Sequence, residues 1–211
     1  MNEQDLTVGN AQTLAIQRLN GHIEAGTLIR GRWTGTDEQG RHLACLLAAM
    51  VPECGKEQMA SVCPAELMPQ WLAQLTPWID DAGSDAAWPG VVRRYAAVAA
   101  RWHALSAEEW RRLDYAVRAL CVREAMRHTP DATVISVCGR AATLCEAAAS
   151  GATIDVAETA AEAARSAAAE AARSAAWSAA RSAAAAAAGR IISATLSAIE
   201  MACDAAEKSA K

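Results

Sequence analysis

The chain has 211 residues, 53% of them hydrophobic, and a formal net charge of -4. That length allows one or two domains with a real core, and the acidic balance argues against a generic phosphate binder, which needs a basic footprint. Phe is absent and only 2 Tyr stand against 7 Trp, so the large apolar contacts must come from Trp, Leu, Ile, Val and Met.

The opening MNEQDLTVGN is polar and acidic, unlike a secretory leader. By composition no apolar run reaches the roughly 20 residues that span a bilayer. With Cys present but no oxidising context indicated, the expectation is a reducing cytoplasm and buried free thiols. Every Trp except Trp177 precedes residue 111, which places the dense core in the N-terminal part.

In chain order, Asn10 is positioned to cap a first helix with Leu14, Ile16, Leu19 and Ile23 as apolar positions, limited by Gly21 and Gly26. Thr27 to Trp33 and Arg41 to Leu47 flank a loop with Gly35, Asp37 and Gly40, a β-hairpin signal. The second half of that hairpin has an alternative reading, a helical turn from Leu43, because LACLLAAM does not alternate. Residues 52–64 read as loop or short irregular structure. PAELMPQWLAQLTPWIDD reads as a helix broken at Pro69 and Pro77, with Trp71, Leu72, Leu75, Trp78 and Ile79 as core. Asp80, Asp81 and Asp85 read as a solvated loop after it.

A helix over Trp88 to Trp102 follows. Ser106 and Glu109 form a capping box opening a helix to about Arg127, whose stripe is Trp110, Leu113, Val117, Leu120 and Cys121. Thr129, Pro130 and Asp131 restart the chain for a helix to about Ser150, stopped by Gly151. The last amphipathic helix begins after Gly189, with Ile191, Ile192, Leu196, Ile199 and Cys203 on its apolar face.

Between these two lies a tract of 32 residues, Ala157 to Ala188, of which 20 are Ala. Ala has the highest helix propensity, and as one rod the tract would run about 48 Å. Its four-residue unit drifts about 40° per repeat around a helix, so no fixed polar face forms. The tract is expected to be surrounded by neighbours or broken. Trp177 takes the repeat position held by Arg173 and Arg181 on either side. It reads as a core knob edged by Arg stems, or as an exposed cation–π platform.

The fold expected is mainly α: a helical bundle with one small N-terminal β-hairpin and an Ala-rich helical C-terminal layer. Its parts are a Trp-rich region, 1–128, and an Ala-rich region, 129–211, packed on it or continuous with it.

Chemistry is harder to find. No phosphate loop, G-x-S-x-G, H-E-x-x-H or C-x-x-C occurs. His42, Cys45, Cys54 and Cys63 have zinc-type side chains at a spacing that matches no common knuckle. Residues 85–128 carry eight Arg against five acids, a face that reads as solvated before it reads as phosphate-binding. No catalytic residue, metal or cofactor is expected. The surface first in line for a partner is the hairpin loop with Arg30, Arg32, Trp33, Asp37, Glu38 and Arg41, since Trp and Arg are favoured anchors; Arg173, Trp177 and Arg181 come second.

The segment RSAAAEAARSAAWSAARSAA resembles the Ala/Trp/Ser/Arg repeats of phage and prophage proteins, and is similar to Ala-rich helical immunity proteins of bacterial toxin systems. GHIEAGTLIRGRW, GRHLACLLAA, CPAELMPQWLAQLTPWIDD and RWHALSAEEWRRLDYAVRAL look like the N-terminal part of the same phage-type proteins. The resemblance implies a small accessory protein of a mobile element, and by analogy with anti-CRISPR proteins a non-catalytic inhibitor of a bacterial host machine. The partner so implied is a host protein or protein–nucleic-acid complex, met in the cytoplasm away from membranes, with direct nucleic-acid binding ranked lower. The alternatives are an immunity protein that neutralises a basic toxin and a DNA-binding regulator using the Arg-rich helices.

Overall fold

The computed structural model describes residues 3–81, 83–128, 130–152 and 184–209. Over these the chain is mainly α, with one two-stranded antiparallel hairpin near the N-terminus. The chain divides into two compact units, Met1–Leu105 with Ala205–Lys211, and Ser106–Asp204.

In the first unit α1 runs over Glu3–Ala25. Asn10 therefore lies inside the helix and does not cap it. Gln12, Ala15 and Leu19 are buried at spacings of three and four, and that packed face outweighs the mild helix penalty of Asn and Gly. Leu14, expected inward, is 46% exposed. Gly26, at φ +63, ends the helix, where a Cβ would be strained.

The hairpin pairs β1 (Thr34–Thr36) with β2 (His42–Ala44), in the register Thr34↔Ala44 and Thr36↔His42. The first strand thus sits later than the expected Thr27 to Trp33. Of that stretch only Leu28 makes a bridge, parallel to Ala44. The chain turns helical just after β2: α2 (Leu46–Met50) is wholly buried, and Cys45 caps it by accepting from the Ala48 amide at 3.5 Å. Residues 52–64 are more ordered than expected, holding α3 (Pro52–Glu57) and a 3-10 turn (Ala60–Val62). Gly55 is required in α3 because a Cβ there would stand 2.7 Å from Thr34 Cγ2 and 2.9 Å from Ala48 Cβ.

Helix α4 spans Gln70–Asp81 and continues through Pro77. Pro69 breaks the chain as expected; Pro77 does not. Leu72, Thr76, Ile79 and Asp80 are all buried at spacings of four, three and one, and burying Leu72 and Ile79 contributes about 2 kcal/mol each, enough to offset the lost hydrogen bond. Helix α5 (Trp88–Ala99) buries Val92, Tyr95, Val98 and Ala99, and a 3-10 turn, Trp102–Ala104, follows. The Tyr95 and Trp102 rings meet edge to face at 5.7 Å, and the Tyr95 hydroxyl lies 2.8 Å from Thr76 Oγ1.

In the second unit α6 (Ala107–Met126) starts from the expected capping box: the Glu109 amide donates to Ser106 Oγ at 3.3 Å and the Ser106 amide to Glu109 Oε2 at 2.6 Å. Leu113, Val117 and Ala119 are buried. Helix α7 (Ala132–Ala149) is capped by Asp131, one residue beyond Pro130; Asp131 Oδ1 accepts from the Thr133 and Val134 amides. It buries small residues, Cys138, Ala141, Ala142 and Ala148. With a mean hydropathy of 1.2 over 18 residues, α7 is long and apolar enough to cross a membrane by length and composition alone. Gly151, at φ +86, stops it.

Helix α8 (Ala184–Ser209) runs unbroken through Gly189, which therefore does not start a new helix. One Gly costs about 1 kcal/mol, less than the buried stripe of Ala188, Ile192, Leu196, Ile199 and Cys203 supplies. The Ala tract before residue 184, with Arg173, Trp177 and Arg181, lies outside the described residues.

Candidate functional site

The hairpin is anchored at its base by Arg30. Its guanidinium donates to three backbone carbonyls at the end of α4: Asp80 from Nε at 2.8 Å, and Asp81 and Gly83 from Nη2 at 2.8 and 3.2 Å. Nη1 pairs with the Asp85 carboxylate. Carbonyls at a helix C-terminus have no intrahelical donor, and a planar guanidinium serves several at once. Gly31, at φ +74, turns its own amide to Asp81 Oδ1 at 2.6 Å.

Beneath this clasp lies Asp80, which is fully buried. Its Oδ2 accepts from the Leu46 amide at 3.0 Å and its Oδ1 from Trp88 Nε1 at 2.8 Å. Burial pushes its carboxyl up to about 6, against the opposing pull of those two hydrogen bonds. The expectation of a solvated loop therefore fails for Asp80, while Asp81 and Asp85 are exposed. A sequence signal for Asp80 existed: it continues the Leu72, Thr76 stripe at a spacing of four, so a helix unbroken at Pro77 carries it inside.

The tip of the hairpin is ordered by Asp37. Oδ1 accepts from the amides of Gln39 and Arg41 at 3.0 and 2.8 Å, and Oδ2 from Arg41 Nε at 2.6 Å. Burial works against the charge, but the Arg41 amide and guanidinium hold the Asp37 carboxyl below its usual range. Arg41 Nη1 also donates to the Ala25 carbonyl at the end of α1, at 3.0 Å. Gly40, at φ +77, closes the turn.

The six hairpin residues named from sequence thus divide. Arg30 is directed into the fold and Asp37 orders the tip. Trp33 is half-buried, and its carbonyl accepts from the Cys45 amide at 2.9 Å. Arg32, Glu38 and Arg41 are exposed. The Arg32 guanidinium lies over Gly35, 3.4 Å from where a Cβ would stand.

The other candidates fall apart or pair off. His42 is exposed on β2, whereas Cys45, Cys54 and Cys63 are buried. Burial pushes Cys45 up to about 11 and Cys63 to about 12, which keeps both as thiols. Among the described residues no group of three or more His, Cys, Asp or Glu is placed to hold a metal. The Arg-rich helices face their own acids: Arg111 and Arg112 bind Glu108, Arg118 binds Asp114, Arg123 binds Glu146, and Arg127 binds Glu124.

No family model matches the chain, and no curated protein or solved structure matches it either. The geometry of its own residues is what any functional reading has to stand on.

Proposed function

We propose that this chain is a non-enzymatic accessory protein of a mobile element that binds and inhibits a bacterial host protein or protein–nucleic-acid complex, meeting it with the hairpin tip. One observation carries the reading: the tip is ordered before any partner arrives. Arg30 fastens its base to the end of α4, and Asp37 and Arg41 fasten its turn. Rigid contact residues lose less entropy on binding. Glu38 and Arg41 then offer both signs of charge at the turn, and Arg32 and the half-exposed Trp33 add to them at the base before β1, a mixture suited to a protein surface. The phage-type likeness of the sequence directs the search to a bacterial host.

Direct DNA binding is the weaker reading, because the cations of α6 are matched by carboxylates on α6 and α7. The test is a pull-down from a bacterial host using the chain and its Arg32→Glu/Glu38→Lys variant, with thermal midpoints measured alongside. The expected result is a host protein retained by the parent chain and lost from a variant of unchanged midpoint. Equal retention by both overturns the role of the tip.

A further inference from the structure

The last turn of α1 and the first residue of β2 bring two imidazoles together. The rings of His22 and His42 lie 6.3 Å apart, centroid to centroid, at 65° to one another. An open hollow of about 320 Å³ lies against Arg18, Gly21, His22 and Thr27.

The state of His22 follows from its neighbour. Thr27 Oγ1 lies 3.4 Å from the His22 carbonyl, which accepts its single proton. The same oxygen lies 2.8 Å from His22 Nδ1. In the tautomer in which Nδ1–H donates to this hydroxyl, the lone pair stands on Nε2. A hydrogen bond that fixes one ring nitrogen and frees the other is how proteins prepare a histidine to ligate a metal.

We propose that His22 and His42 form a two-imidazole site for a divalent transition-metal ion of the zinc class, oriented by Thr27 and completed by water. At Zn–N distances of about 2.0–2.1 Å, two imidazoles sharing a tetrahedral ion have centroids about 5 Å apart. His42, being exposed, closes the remaining gap by rotating its own side chain. The carbonyl end of α1 favours a cation there. Of the nearby cations, Arg41 is paired with Asp37, and Arg18 is exposed and screened by solvent. Both ligands bind as neutral imidazoles, so no proton is displaced from His22 Nδ1.

The experiment is a zinc titration of the tag-free chain, followed by calorimetry and by the histidine ring resonances. One equivalent is expected to bind while His22 and His42 move and His103 and His128 do not. Replacing His42 by Gln weakens binding on the order of tenfold or more with the thermal midpoint unchanged; Thr27→Val weakens it on the order of tenfold and Thr27→Ser restores it. Unchanged affinity in His42→Gln overturns the site, as does a response confined to His103, His128 or the thiols. If His22→Gln fails to fold, the exposed His42 still decides the matter.

Discussion

The two units use their polar groups in opposite ways. The first fills its interior with large side chains, among them Tyr95, Leu46, Met50, Met68, Leu72 and Ile79, and takes Asp80 inside with them. In the second, the α6 and α7 pair buries Leu113 and Val117 among mostly small residues, Ala119, Ala141, Ala142, Ala148 and Cys138, and most of its charges remain outside as ion pairs. Large side chains enclose enough volume to shelter a carboxylate that has two dedicated donors. Small ones let helices approach closely and leave less room for one. A buried polar group fixes register, because each partner must be met; surface pairs are replaceable and screened.

The widest gap between the units should appear on truncation. Leu72→Ala in α4 removes a fully buried side chain and is expected to cost about 3 kcal/mol. Ala142→Gly in α7 loses one methyl and some helix propensity, about 1–2 kcal/mol together. Urea unfolding of both variants measures the difference, and equal costs would erase the contrast.

Asp80 gives the next effect. Asp80→Ala leaves the Leu46 amide and Trp88 Nε1 without their acceptor and is expected to cost about 2 kcal/mol. Its pH dependence has a definite sign. The ordinary value is 3.8 and the folded value about 6, so between them the folded chain keeps a proton that the unfolded chain has lost. Stability therefore falls as pH rises across that window. The difference in stability between the parent chain and Asp80→Asn should carry this slope. A flat difference would mean that Asp80 titrates normally.

Glu124 sharpens the comparison from the other side. It accepts from Arg190 at 2.5 Å, Arg127 at 2.7 Å and His128 at 3.1 Å, and is the second unit's one buried carboxylate among the described residues. Arg190 first, and then His128 and Arg127, hold its carboxyl low against the effect of burial. Its stabilisation is thus present above the ordinary carboxylate range and lost on acidification, opposite to Asp80. Since Arg127 and Arg190 are mostly exposed, Glu124→Gln is expected to cost about 1 kcal/mol, and less in about 1 M salt. The smallest effect is Arg118→Ala, within about 0.5 kcal/mol, because its pair with Asp114 lies on the surface. Thermal unfolding at two salt concentrations tests both variants.

What could be read from sequence follows the same division. Ser106 and Glu109 act within one turn, so the start of α6 was legible; Leu113 and Val117 follow from helical period alone. Pro77, Asn10 and Gly189 were misleading because each is a local penalty overruled by a packed face. The position of β1 was illegible for a related reason. Arg30 and Gly31 are drawn away from strand pairing by Asp80 and Asp81, 50 residues further on, and no local pattern announces such a partner. At the tip, Asp37 and Arg41 were recognisable as loop residues, but their role in ordering the turn and reaching Ala25 appears only with the backbone in place.

The Arg30 clasp also has a meaning in time. It closes a span of 50 residues and needs the end of α4 already formed to offer its carbonyls. Contacts of such separation form late, after local helices and their nearest neighbours. A late contact governs how fast a chain comes apart more than how fast it assembles. Arg30 is in that sense a latch on lifetime: shortening it to Ala would leave the folding rate nearly intact, hasten unfolding, and release the hairpin from an otherwise unaltered set of helices.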